Sequence, residues 1–288
     1  MQKDAKMWFW IFVGPILFAF LAVELIPAIM GIGYSFTSWD GIASQPQYVG
    51  IQNYITVFKD AEFFRAFSFT ARFAIVSIIS INLVGFLLAL LVTSGLKGSS
   101  FLRGAFFIPN LIGGLILGFI WQFIFTKVFD SIGAKYGLEF LRGWLATGTT
   151  GFWGLIILMT WQMSGYMMVI YIAGLQNIPD SVLEAAAIDG ASKWQVLKDI
   201  TIPLVAPAFT VGVFLTLSNS FKLYDQNLSL TGGGPGNSTQ MMALNIYNTA
   251  FGFSKFGLAQ AKALIFLVVL ATLALTQMYF SKKREVEL

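Results

Sequence analysis

An all-α membrane protein with six spanning helices is the fold the sequence predicts, and three observations predict it. Of the 288 residues 57% are hydrophobic and only 11% are charged, and the mean hydropathy is +0.74, a composition too apolar to clothe a soluble domain. Apolar stretches recur at the length of about 20 residues that a helix needs to cross the hydrocarbon core of a bilayer. Between them lie polar segments whose lysines and arginines are shared unevenly between the two sides.

The first stretch, Trp8 to Gly33, is too long and too evenly apolar for a cleaved signal, whose apolar region runs about 7–15 residues. No small-x-small cleavage site ends it, so it is expected to stay in the mature chain. The next spans are expected at Thr70 to Ser94, Gly104 to Phe125, Phe152 to Leu175, Leu204 to Leu223 and Gln260 to Phe280. One membrane domain over residues 8–280 is expected, between tails of residues 1–7 and 281–288, with no internal repeat. Gly114 and Gly118 form a small-xxx-small pair, and Gly151, Gly154 and Gly165 admit close helix approach, as membrane packing requires. Trp8, Trp10 and Tyr279 stand at span ends, where aromatic rings anchor to the interface.

Orientation follows from the basic residues near helix ends. Lys3, Lys6, Lys97, Arg103, Lys193, Lys198, Lys282, Lys283 and Arg284 crowd the short segments on one side, while Lys59, Arg65, Lys127, Lys135, Arg142, Lys222 and Lys255 are spread over longer loops on the other. Both termini and residues 178–203 are therefore expected to be cytoplasmic. The net charge of +4 follows from this bias, and no basic cluster interleaved with stacking aromatics supports nucleic-acid binding.

The chain has no Cys and no His, which removes thiol nucleophiles, disulfides, imidazole bases and the usual zinc ligands, leaving metal ligation to carboxylates. The spans carry almost no charge: Glu24 in the first, and Arg72 and Lys262 at helix starts. Glu24, with Pro27 close by, fits either a lone proton-coupling site or a contact with water or a neighbouring helix at a kink. Ion-driven transporters relay protons or sodium through paired intramembrane carboxylates, so the energy source is expected outside this chain. No Gly-rich loop ends in Lys-Ser/Thr, so no phosphate cradle for ATP is present. The run Thr231 to Asn237 reads as a tight turn using glycine at positive φ.

The polar island from Glu184 to Pro203 is the most informative segment. Pro179, Asp180 and Ser181 are expected to open a helix in which Ser181 and Glu184 form a capping box. Asp189-Gly190 should stop it. Ser192 with Gln195 repeats the box for a second short helix running to Ile200, and Pro203 is placed in the first turn of the next span. The result is a helix-turn-helix at the membrane surface with three consecutive alanines, Ala185 to Ala187, that let a neighbour approach closely, and with no flexible linker to the following helix.

In its residues Glu184, Ala185, Ala186, Asp189, Gly190, Ile200, Ile202 and Pro203, preceded by Ile178-Pro179, this island resembles the EAA loop of bacterial ABC-importer permeases; Ile202 stands where Leu is usual. Other stretches resemble the carbohydrate branch, in the subunit type of the larger maltose permease. They are Gly14-Pro15, Pro27, Ser35-Phe36, Gly50 to Tyr54, Phe107-Ile-Pro109, Thr160-Trp161 with Tyr166 to Met168, Leu230 to Pro235, and Tyr247 through Ala250-Phe251 to Gly257. The resemblance covers essentially the whole chain. It lacks the extra N-terminal helices and large insertion of the maltose-type relative, so the resemblance implies a minimal six-span type I importer core.

The resemblance implies the remaining parts of the machine: a second related permease subunit, two cytoplasmic ATPase subunits holding the ATP and Mg, and an extracytoplasmic solute-binding protein resting on the loops near 34–67, 126–151 and 222–258. The chain itself is expected to bind no cofactor and to catalyse nothing, and to sit in the bacterial cell membrane. Glu184, Ala185, Ala186, Asp189, Gly190 and Ala191 are implied as the ATPase-coupling residues. Gln162 and Tyr166, one turn apart on the fourth span, and Thr216, Asn219, Ser220 and Leu223 on the fifth are the expected sugar pathway, with Asn110 and Gln122 as weaker candidates. Each polar residue has a plainer alternative, an interhelical hydrogen bond worth about 1 kcal/mol or less. A channel or facilitator would leave the alanine-faced elbow without a purpose, an ion-coupled secondary transporter would lack its paired carboxylates, and an intramembrane enzyme would lack a reactive constellation, with no Cys, no His and almost no buried carboxylate. Glycerol phosphate would demand cations at depth, where only Arg72 and Lys262 are near, so a neutral saccharide is favoured.

Overall fold

The structure is a computed structural model that describes residues 2–283, with side chains from residue 9 onward; Arg284 and the expected tail to residue 288, and the side chains of Lys3, Lys6 and Trp8, lie outside the described residues. Among the described residues, regular structure is helical apart from one isolated bridge between Thr37 and Tyr48. The helices are α1 (2–34, with a π-helical turn at Leu21–Leu25), α2 (Gln52–Lys59), α3 (Ala61–Thr93), α4 (Ser99–Phe107), α5 (Gly114–Tyr136) and α6 (Gly148–Gln176). They continue with α7 (Asp180–Ile188), α8 (Lys193–Leu204), α9 (Ala206–Phe221), α10 (Asp225–Leu230), α11 (242–252) and α12 (Phe256–Lys282).

Five of these are singly long and apolar enough to cross a bilayer, and α8 with α9 qualifies only as a pair bent by 66°. The expected third span is displaced. Instead of the expected 104–125, α4 stops at Phe107, a 3₁₀ turn spans Ile108–Leu111, and the spanning helix runs from Gly114 to Tyr136. Pro109 lacks the N–H that would continue α4, and the extended backbone at Ile112 and Gly113 resets the direction. The second and sixth spans begin earlier than expected, at Ala61 and Phe256; the early turns of the second carry Glu62 and Arg65, which an apolar window does not register.

By contacts the chain falls into two compact units, residues 1–63 with 245–268 and residues 64–244 with 269–288. In the first, Lys262 on α12 is buried, and its ammonium reaches Asp60 Oδ2 at 2.8 Å, Asn245 Oδ1 at 2.9 Å and Thr249 Oγ1 at 3.0 Å. Three donors thus meet three acceptors, which is how a cation is tolerated in a buried site. Lys262, one of the two cations that the sequence places at span starts, is therefore paired. Burial by itself pushes the Asp60 carboxyl up, but the hydrogen bond and charge of Lys262 together with the backbone N–H groups of Glu62 and Phe63 outweigh it and hold that carboxyl below its usual range.

In the second unit the core gathers Phe73, Ile81, Leu117, Phe125, Leu155, Leu158, Met167, Met168, Tyr171 and Leu230. Helix α6 is its axis, with 67% of its most apolar window buried against 39% for α3. Small residues set the spacing. A Cβ at Gly165 would lie 1.8 Å from the Phe106 carbonyl oxygen, so α4 packs on α6 backbone to backbone. The Gly114/Gly118 pair receives α10, a short helix rather than a second span: a Cβ at Gly118 would lie 1.8 Å from Ser229 Oγ.

Two outcomes are expected from this packing. Asp60→Ala strands the Lys262 ammonium and should cost about 3–5 kcal/mol, read as a fall in melting temperature of the detergent-solubilised protein, with most of it recovered in the Asp60→Leu/Lys262→Met double variant. Because the folded carboxyl is depressed, its contribution is full above the ordinary carboxylate range and is lost as pH falls through the lowered folded value; the acid limb of the melting curve should therefore flatten in the double variant.

Candidate functional site

The elbow between α6 and α9 is built by successive, locally satisfied breaks. Pro179 takes the N-cap of α7 in an extended conformation, which starts the helix at Asp180 and puts Ser181 inside its first turn. The expected Ser181/Glu184 capping box is therefore not formed, and no side chain caps this helix. The Glu184 carboxylate is left exposed and, among the described residues, makes no hydrogen bond or ion pair. At the other end Gly190, with φ 73°, closes α7: its N–H donates to the Ala187 carbonyl at 3.2 Å and that of Ala191 to the Ala186 carbonyl at 3.0 Å, a Schellman arrangement. Ser192 and Gln195 form the predicted box, with Gln195 Oε1 2.8 Å from the Ser192 N–H and Ser192 Oγ accepting from the Gln195 N–H at 3.3 Å.

From there the helix runs further than expected. It passes through a π-helical turn at Val196–Thr201 and past Pro203 to Leu204, so Pro203 lies before the bend and Pro207 takes the first turn of α9. A proline this far into a helix forfeits one bond and crowds the carbonyl behind it; the π turn before it and the bend at Val205 after it are where the helix yields. Val205 is fully buried, and Val205 and Ala208 pack on α6 at Gly174. No linker intervenes between elbow and span.

Of the coupling candidates, Glu184, Ala185, Asp189 and Gly190 are exposed, Ala191 is half-buried and Ala186 is buried. Two residues that sequence reasoning passed over share this surface. Ile188 is 86% and Trp194 68% exposed, large apolar side chains facing outward on either side of Gly190. Their signal was present as apolar residues within a polar island. Behind the elbow, Leu90, Leu183, Ala187, Ala191, Val196 and Leu197 line a hollow of about 480 Å³.

The second candidate is a cavity of about 440 Å³ where α6, the turn after α4 and residues 219–226 converge. Gln162 and Tyr166 from α6, Asn219 and Leu223 from the end of α9, and Asn110 from the 3₁₀ turn all line it, with Met159, Met163, Tyr224 and Gln226. Gln226 Nε2 donates to Gln162 Oε1 at 2.8 Å, and Gln162 Nε2 donates to the Ile112 carbonyl at 3.2 Å, which fixes the amide orientation. The lining combines amides, phenol rings and thioether flanks. It also contains Lys222 and Asp225, both exposed to the cavity and not paired with each other, which the loop assignment of these residues had hidden.

Three expected pathway residues lie elsewhere. Thr216 is fully buried in a network joining α3, α6 and α9, in which Asn82 Nδ2 donates to its hydroxyl at 2.9 Å and Tyr171 donates to Asn82 Oδ1. Ser220 is buried with no hydrogen bond to its hydroxyl among the described residues. Gln122 donates to the Leu230 carbonyl at 3.1 Å, tying α5 to α10. The stripe on α9 is thus split: Asn219 faces the cavity, and Thr216 and Ser220 face the core. No group of three or more acidic side chains able to hold a metal ion occurs among the described residues.

The family described as binding-protein-dependent transport system inner membrane component matches residues 81–286. Over its full length the chain is 53% identical to the probable starch degradation products transport system permease protein AmyD of Thermoanaerobacterium thermosulfurigenes, covering 100% of each. It is 32% identical to the multiple sugar-binding transport system permease protein MsmF of Streptococcus mutans, over 98% of this chain and 97% of the relative. The fold matches that of a chain of a bacterial ABC transporter involved in the import of the acidic polysaccharide alginate, with a TM-score of 0.83 at 22% identity over 98% of both chains.

Two variants separate the cavity from the core. Thr216→Val removes an acceptor from the Asn82 network and should lower stability by about 1 kcal/mol. Asn219→Ala should leave stability within about 0.5 kcal/mol while changing solute uptake in reconstituted vesicles. Melting curves and uptake assays on the pair check both.

Proposed function

The chain belongs to the family of inner membrane components of binding-protein-dependent transport systems, and on that premise we propose that it forms half of the translocation pathway of an ATP-driven importer for a sugar or oligosaccharide. A second, related permease subunit completes the pathway, two ATPase subunits hold the ATP and Mg, and a solute-binding protein delivers the substrate from outside. The chain catalyses no reaction and binds no cofactor of its own. It resides in the bacterial cell membrane with both termini and the elbow in the cytoplasm, in keeping with the bias of basic residues.

One observation carries the coupling role. The elbow presents an uncommitted Glu184 carboxylate and the outward Ile188 and Trp194, and it is joined to α9 through the single buried residue Val205. A force applied to that surface by an ATPase subunit is transmitted to α9 without loss in a linker. Ile188 and Trp194 suit an apolar groove on such a subunit, and the small side chain of exposed Ala185 keeps the approach close. Alternating access then follows from rocking of the two permease halves, which opens the cavity first to one side and then to the other.

For the solute, the names of the relatives support saccharides, and the cavity supports them chemically. Sugars present hydroxyls and flat C–H patches. The amides of Asn110, Gln162, Asn219 and Gln226 serve the first, and Tyr166, Tyr224 and the methionines serve the second.

The test uses the reconstituted transporter with its ATPase and binding protein. Gly190→Val forces a β-branched residue to φ 73° and should deform the end of α7, with nothing within 4 Å of the new Cβ to add a steric effect. Uptake per ATP hydrolysed should fall roughly 5- to 150-fold, the range of ordinary coupling between sites of about 1–3 kcal/mol, while the assembled complex is retained. Unchanged uptake would remove the elbow from the coupling path.

A further inference from the structure

A cavity of about 500 Å³ lies apart from the pathway, lined by Phe69, Arg72, Ile75 and Val76 of α3, Gly148, Thr149 and Phe152 at the start of α6, and Ser238 of the loop before α11. It is amphipathic. Phe69, Ile75, Val76 and Phe152 form an apolar wall, and Arg72 with the hydroxyls of Thr149 and Ser238 forms a polar end. Arg72 is exposed, and its Nε donates only to the Ser68 carbonyl at 3.3 Å. Among the described residues, no carboxylate pairs with this guanidinium, no acidic side chain lines the cavity, and no chain group hydrogen-bonds the Thr149 or Ser238 hydroxyl.

Position decides what such a cation is for. Helix α3 has 33 residues and is roughly 50 Å long at 1.5 Å per residue, whereas the hydrocarbon core is about 30 Å thick and takes about 20 residues. Counting back from Thr93, that length ends near Arg72. The guanidinium therefore sits at headgroup level, in the leaflet opposite the elbow, since α6 crosses from Gly148 to the elbow end. A guanidinium at headgroup level faces lipid phosphates, and among the described residues no carboxylate competes for it. Ile75, exposed at 60%, opens the apolar wall outward.

We propose that this cavity binds one anionic phospholipid, its phosphodiester on Arg72, its headgroup hydroxyls on Thr149 and Ser238, and an acyl chain along Phe69, Ile75, Val76 and Phe152. Guanidinium and phosphate match in charge and in paired donor–acceptor geometry. The absence of an acidic lining residue leaves no partner for a headgroup amine, which selects a net-negative lipid such as phosphatidylglycerol over a zwitterionic one. The lipid would fasten α3 to the start of α6, so its loss should loosen that end of the second unit.

Native mass spectrometry of the assembled transporter in mild detergent tests this. Wild type should retain a phospholipid that Arg72→Gln loses and Arg72→Lys keeps, and added phosphatidylglycerol should raise the melting temperature of wild type but not of Arg72→Gln. Equal lipid retention in wild type and Arg72→Gln overturns the proposal. So does a rise in melting temperature with inorganic phosphate alone, which would mark a free-anion site. Weaker association with the second permease subunit in Arg72→Gln at unchanged lipid content also overturns it, since the partner of Arg72 would then be protein. Should Arg72→Gln fail to assemble, wild type labelled with a diazirine-bearing phosphatidylglycerol decides: adducts on residues 69–76 and 148–152 support the site, and their absence there refutes it.

Discussion

Within hydrocarbon no water is available to a peptide group, so each N–H and C=O must find its partner inside the chain, and an unpaired one costs several kcal/mol. This constraint makes helices the only regular structure available here and makes every interruption of a helix conspicuous. The interruptions that occur are satisfied locally. Pro109 ends α4 in a 3₁₀ turn, Gly190 closes α7 by a Schellman pair, and Val205 keeps its N–H on the Thr201 carbonyl at 3.0 Å through the bend. They are also where both candidate sites lie: Asn110 reaches the cavity because α4 stops, and the elbow exists because α7 and α8 stop and turn.

The second consequence is rigidity at the joint. Pro179 leads straight from α6 into α7, the Ser192/Gln195 box starts α8 within two residues of Gly190, and Val205 with Ala208 seats the bend against α6 at Gly174. A surface fixed at both ends in this way transmits displacement, whereas a flexible loop of similar length would dissipate it. Ile188 and Trp194 are exposed on this surface, and among the described residues no packing partner covers them, which is why the proposed coupling contact is placed there.

Polar side chains within the spans divide by the same logic. Those that find partners become fasteners: Asn82 with Thr216 and Tyr171, Lys262 with Asp60, Asn245 and Thr249, and Gln122 with the Leu230 carbonyl. Others line open space, such as Asn110, Tyr166 and Asn219, the last with its Nδ2 donating to the Leu215 carbonyl at 2.9 Å. Gln162 does both, since its amide is oriented by Gln226 and Ile112 while its flank faces the cavity.

The sequence by itself determined the class, the number of crossings to within one bent pair, and the elbow, because hydropathy over twenty residues and capping residues at three- and four-residue offsets are local properties. The stop at Gly190 and the box at Ser192 were legible for that reason. Only the tertiary structure decided that the third span starts at Gly114, that Thr216 and Ser220 turn inward while Asn219 turns to the cavity, that Lys222 and Asp225 join the cavity lining, and that Lys262 is paired with Asp60. Each of these depends on which neighbour lies across a helix face, often from a segment dozens of residues away. No local pattern carries that information, since a polar residue in an apolar helix reads the same whether it meets another side chain or an open space.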